Sequence, residues 1–153
     1  MIKSEMLPLG EITKQLDKKD KVAIITCNNC ARICGIGGVD KADEVAAQLQ
    51  KEGYNVVSVG DTPVACNFEY YKDVNVDGAA TAIAVLSCPV GLNVVSQVYE
   101  GKKIVKCAEG QGAFVLRPSM NRLKVEEVFA GKESVKGTEY TILTGAPLKD
   151  QKM

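Results

Sequence analysis

Three cysteines within eight residues, Cys27, Cys30 and Cys34, directly follow the apolar run at 21–26. That run is rich in β-branched residues, which is typical of a parallel strand buried on both faces. A glycine-rich segment comes next, and a helical pattern begins near Asp40. A buried strand that leads through such a loop into a helix predicts an α/β fold.

The alternation of strand and helix continues along the chain. Strands are predicted at 55–59, 81–87 and 103–106, and helices at 40–52 and 90–99. Connections of this length favour a parallel sheet of the Rossmann or flavodoxin type, with helices on both faces. The length of 153 residues suits a single domain over 1–153.

The two ends of the chain give weaker patterns. Residues 1–20 are expected to form a helical arm, with its helix at 9–19. Near the other end a helix is predicted at 122–130 and a last strand at 139–144, and residues 145–153 are expected to be a frayed tail.

Cysteines also follow the other predicted strands. Cys88 and Cys107 come directly after two of them, and Cys66 lies a short loop beyond a third. Because ligands collect outside the carboxyl ends of parallel strands, we expect the thiols to meet at one edge of the sheet.

Composition limits the partners and the compartment. Nineteen basic and nineteen acidic side chains cancel, which gives no electrostatic basis for binding nucleic acid or an anionic membrane. No apolar run approaches the roughly 20 residues that span a bilayer, and the acidic start predicts no signal peptide. The chain is therefore expected to be cytoplasmic, where six cysteines serve metal or redox chemistry more often than disulfides.

A thiolate-rich metal site is the leading interpretation, because the chain has no histidine. Thiolates are the usual ligands of iron–sulfur clusters, and the glycine-rich loop is expected to aim backbone N–H groups at the sulfurs. Three alternatives stay open: a zinc site with four cysteine ligands, a thiol–disulfide role for Cys27 and Cys30, and an enzyme with an open cluster iron. For Cys107, a thiol that only fills the core is as good an interpretation as a metal ligand.

Two further segments make the pattern more specific. Cys66 precedes Phe68-Glu69, and the run at 86–91 reads Leu-Ser-Cys-Pro-Val-Gly. With the three-cysteine motif, over about residues 3–110, the chain resembles the small iron–sulfur subunit of bacterial methylenetetrahydrofolate reductases, found in acetogens and related anaerobes. The resemblance implies a [4Fe–4S] cluster in an α/β domain that exchanges electrons with a flavin-containing catalytic subunit in one-carbon metabolism.

The resemblance also implies which residues bind the cluster and that the subunit is not catalytic alone. The matching cysteines are Cys27, Cys30, Cys34, Cys66 and Cys88. One cluster needs four ligands, and Cys34 is the first to leave out because glycines follow it. The family continues into a second cysteine-rich segment, whereas this chain has no cysteine after Cys107.

Overall fold

The computed structural model describes residues 1–148. The helices and strands follow one another in this order: β1 (Ile2–Met6), α1 (Leu9–Thr13), β2 (Lys21–Cys27), α2 (Cys30–Ile33), α3 (Val39–Lys51), β3 (Asn55–Thr62), β4 (Ala82–Leu86), α4 (Pro89–Val98), β5 (Lys103–Lys106), β6 (Ala108–Arg117), β7 (Arg122–Val128), β8 (Glu139–Thr141) and β9 (Pro147–Leu148). Short 3-10 turns lie at Phe68–Asp73, Pro118–Met120 and Glu133–Val135.

Four strands form a parallel sheet in the spatial order β3-β2-β4-β5. Counted along the chain, these strands stand in the order 2-1-3-4, which is the doubly wound arrangement of flavodoxin-like sheets. The predicted α/β fold with a parallel sheet is therefore confirmed.

Helices cover both faces of this sheet. Because alternate residues of a strand point to opposite faces, neighbouring apolar residues in β2 and β4 belong to two separate cores. Helix α3 buries Ala42, Val45 and Leu49 against one face, with Val22, Ile24, Ala84 and Leu86. Helix α4 buries Val94 and Val95 against the other face, with Ile25, Ile83 and Val85.

A second sheet, five-stranded and antiparallel, was not predicted. Its strand order is β1-β6-β7-β8-β9. The helix predicted at 122–130 is wrong, because Arg122–Val128 form strand β7. Leu123 and Val125 are buried while Glu126 is exposed, and pairing with β6 overrides the helical propensity of the glutamates.

The chain ends also differ from the prediction. Residues 2–6 form a strand paired with β6, from Ile2 opposite Ala113 to Met6 opposite Ala108, and the helix of the expected arm is only five residues long. Part of the expected frayed tail is ordered, because β9 pairs with β8. The remainder of that prediction, 149–153, lies outside the described residues.

A third core joins the two sheets. It contains Cys27, Ala31 and Cys34 from the cysteine motif together with Phe114 and Leu123 from the antiparallel sheet. The antiparallel sheet therefore packs near the carboxyl end of β2, where α2 lies. Within residues 1–148, no helix is both long enough and apolar enough to cross a membrane.

Candidate metal centre

The carboxyl ends of β2 and β4 form the switch point of the parallel sheet. From β2 the chain goes to the helix on one face, and from β4 it goes to the helix on the other. Cys27 is the last residue of β2, and Cys88 is the N-cap of α4, two residues beyond β4. Two cysteines thus flank the crevice where doubly wound sheets bind their ligands.

Helix α2 is a single turn that holds the other two cysteines of the motif. Cys30 begins the helix and Cys34 caps its end, and the N–H of Cys34 donates to the carbonyl of Cys30 over 3.0 Å. Residues four apart lie on the same side of a helix. Cys30 is half-buried, whereas Cys34 is buried against β1, where its thiol donates to the carbonyl of Ile2 over 3.7 Å.

Backbone N–H groups approach the sulfur of Cys27. The N–H of Asn29 lies 3.5 Å from this sulfur, and the N–H of Ala65 lies 3.4 Å from it. Such donors stabilise negative charge on sulfur and raise the reduction potential of a cluster bound there.

The glycine-rich loop does not supply these donors, contrary to the expectation from the sequence. The N–H of Gly38 donates to the hydroxyl of Thr26 over 2.8 Å, and the N–H groups of Gly35 and Gly37 donate to carbonyls inside the motif. The glycines instead permit close packing. A Cβ at Gly37 would lie 2.7 Å from the carbonyl oxygen of Cys27.

Cys66 is exposed and lies in the turn after β3. The hydroxyl of the buried Tyr71 donates to the carbonyl of Ala65 over 2.5 Å, which fixes this turn. Helix α4 also approaches it closely, because a Cβ at Gly91 would lie 2.8 Å from the Cβ of Ala65. Sequence reasoning missed the role of Tyr71, and the only signal was an aromatic residue shortly after Cys66.

Electrostatic coupling shows which thiols are neighbours. Burial raises the pKa of Cys88, the backbone N–H groups of Gly91 and Val90 oppose this, and thiolate charge on Cys30 and Cys27 adds to it. Burial also raises the pKa of Tyr71, and charge on Cys27, Tyr99, Cys66 and Cys88 raises it further. Cys27, Cys30 and Cys88 therefore lie near one another, and Cys66 lies near Tyr71.

Cys34 lies near the same cysteines, on the side that faces β1. Burial raises the pKa of Cys34 to about 11, although the N–H of Ser4 and the ammonium group of Lys3 each lower this pKa. Charge on Cys30 and Cys88 raises the pKa further. Cys27, Cys30, Cys34 and Cys88 are thus linked electrostatically, whereas Cys66 acts on Tyr71.

Cys107 lies apart from the others. Its side chain is 0% exposed in the core between α3 and the parallel sheet, and its thiol donates to the carbonyl of Val105 over 3.8 Å. Burial raises its pKa to about 12, and no other cysteine contributes to that shift. Of the two interpretations of Cys107, the structure supports the core thiol.

The donor set can be tested against the groups that it would hold. Among residues 1–148, no three His, Cys, Asp or Glu side chains are arranged to hold one metal ion. Four sulfurs around one zinc, each about 2.3 Å from the metal, stand within about 4 Å of each other, so zinc would require these thiols to move together. An iron–sulfur cluster also takes thiolate ligands, and the all-sulfur donor set has the chemistry that such a cluster requires.

Comparisons with protein-family models, with curated proteins and with solved structures gave no match. The fold and the site themselves define the class: a doubly wound α/β protein with a thiol-rich centre at the switch point of its sheet. That centre consists of Cys27, Cys30, Cys34, Cys66 and Cys88, and we call it the thiol centre.

Proposed function

We propose that the protein is a cytoplasmic iron–sulfur electron-transfer subunit that binds a [4Fe–4S] cluster at the thiol centre and serves a flavoprotein of the methylenetetrahydrofolate reductase type. The main support is that Cys27 and Cys88 flank the switch point of the parallel sheet, and that the adjoining helix α2 holds Cys30 and Cys34. When bound, a cluster of this kind supplies one-electron transfer.

Four of the five thiols suffice as ligands, and the surroundings of Cys34 favour the other four. Cys34 is buried and donates to the backbone of β1, whereas Cys66 is exposed in a turn. We therefore assign Cys27, Cys30, Cys66 and Cys88 as the ligands. The N–H groups beside Cys27 would stabilise its thiolate.

The surface beside Cys66 supports docking of a redox partner. Phe68 is 54% exposed and Tyr70 is 41% exposed, both in the 3-10 turn that follows Cys66. Exposed aromatic side chains are enriched at protein interfaces. A flavoprotein bound on this side would bring its flavin toward the most exposed ligand of the thiol centre.

Anaerobic purification tests the proposal through iron, acid-labile sulfide, zinc and the visible spectrum. We expect about four irons and four sulfides per chain, with most of both lost in Cys88→Ala. The matched control is Cys107→Ala, which removes a thiol of the core and should keep the full content. About one zinc without sulfide, or equal loss in both variants, would contradict the proposal.

A further inference from the structure

We propose that Lys3 is a charge-compensating residue that raises the reduction potential of the cluster in the thiol centre. This inference rests on the proposed function. It assigns a role to β1, a strand that contributes no cysteine and that the sequence did not predict.

The burial of Lys3 is the first observation. Its residue is 2% exposed, although lysine is almost never fully buried without a charged partner. The ammonium group donates to the carbonyl of Ser4 over 3.0 Å and lies 4.3 Å from the centre of the Tyr140 ring. Both of these contacts are uncharged. A desolvated cation whose neighbours are uncharged is stabilised most by a nearby anion.

The position of Lys3 beside the thiol centre is the second observation. Lys3 and Cys34 line one cavity of about 330 Å³, together with Gly35 and Ile36. The carbonyl of Ile2, one residue before Lys3, accepts the hydrogen bond of the Cys34 thiol. Strand β1 therefore brings the ammonium group to the side of the centre where Cys34 lies.

Charge coupling agrees with this geometry. Burial lowers the pKa of Lys3, while negative charge on Cys34, and then on Glu5, raises it. Cys34 in turn interacts with Cys30 and Cys88. The cation of Lys3 thus acts directly on Cys34, the thiol of the centre that is not assigned as a ligand, and Cys34 closes the same helical turn that Cys30 begins.

The expected magnitude follows from Coulomb's law. One-electron reduction adds one negative charge at the thiol centre, and a fixed positive charge near by stabilises the reduced state. At an effective dielectric constant of about 20, a unit charge on the order of 10 Å from an added electron changes the ratio of reduced to oxidised centres by on the order of tenfold. For one electron, a tenfold change corresponds to about 59 mV in midpoint potential.

The test is an anaerobic redox titration of the loaded protein with dithionite and mediators, followed by EPR. In Lys3→Met, which has similar length and no charge, we expect the ratio of reduced to oxidised protein at a fixed potential to fall about tenfold. Lys3→Gln should behave in the same way, and Lys3→Arg should restore the potential. The matched control is Lys51→Met, because Lys51 is exposed at the end of α3 that leads into β3, opposite the thiol centre.

The outcomes separate this inference from the proposed function. A wild-type protein without iron and sulfide would refute both. A loaded wild-type protein whose midpoint potential is unchanged in Lys3→Met or Lys3→Gln would refute only the role of Lys3. An equal shift in Lys51→Met would also refute it, because the effect would then not depend on the buried position.

Discussion

Replacing Cys107 by alanine should change how the stability of the protein depends on pH. Burial raises the pKa of this thiol from the ordinary 9.0 to about 12. A thiol whose pKa is higher in the folded chain than in the unfolded chain stabilises the fold. This stabilisation is complete below the pKa of the unfolded chain, near 9, and is lost as the pH rises toward about 12. Wild-type protein should therefore lose stability in alkali, and the variant should lack this part of the loss.

The magnitude follows from the shift. Each pH unit between the two pKa values costs about 1.4 kcal/mol, so raising the pH from about 8 to about 10.5 should destabilise the wild type by about 2 kcal/mol through this thiol. For a chain of this length, that lowers the melting temperature by roughly 4–8 °C. At about pH 8 the variant should be less stable by about 1 kcal/mol, because it loses one buried atom and leaves a small cavity.

Urea unfolding of the iron-free proteins under reductant, at several pH values, measures this effect. Other titrating groups are common to the two proteins, so they cancel in the difference between the free energies of unfolding. We expect the sign of the difference to reverse, with the wild type more stable at about pH 8 and the variant more stable at about pH 10.5. A difference that stays constant over this range would mean that Cys107 is not desolvated.

Two further predictions concern the loop around Gly145. Gly145→Ala should destabilise the protein by more than Gly137→Ala, because its Cβ would lie 2.2 Å from the carbonyl oxygen of Cys34, whereas nothing lies within 4 Å at Gly137. Both glycines have positive φ, so alanine costs about 1 kcal/mol of backbone strain at either position, and this cost cancels when the two variants are compared. Equal melting temperatures of the two variants would contradict the close packing of Gly145 on Cys34. Leu143→Gly should raise the free energy of unfolding by up to about 1 kcal/mol, because φ is 73° at this exposed leucine; a loss of stability in urea unfolding would contradict this.

The parallel sheet was predictable because its signals are local. Apolar β-branched runs such as that ending at Thr26 indicate buried strands, and Gly53, with φ of 91°, ends α3 where predicted. The positions of Cys27 and Cys88 followed from the rule that parallel strands end at one edge.

The antiparallel sheet was not predictable in the same way. Strand β1 is defined by pairing with residues more than 100 positions away, as with Lys3 opposite Gly112, and its own sequence alternates weakly. Strand β7 contains adjacent glutamates, which favour a helix in isolation. Because Lys3 is buried among residues distant in sequence, such as Tyr140 and Cys34, no local pattern could have indicated its burial. Cys107 also directly follows a strand, but it leads into β6 and lies in a core, whereas Cys88 caps α4.

Both ends of the chain hold the cysteine helix in place, and this has a consequence for biosynthesis. The N–H of Leu143 donates to the carbonyl of Ile33 over 2.8 Å, and Gly145 packs on Cys34 from the C-terminal side, while β1 packs on Cys34 from the N-terminal side. The three-cysteine motif is therefore synthesised early but is enclosed only after residue 145 has left the ribosome. Until then, helix α2 lacks its C-terminal cover.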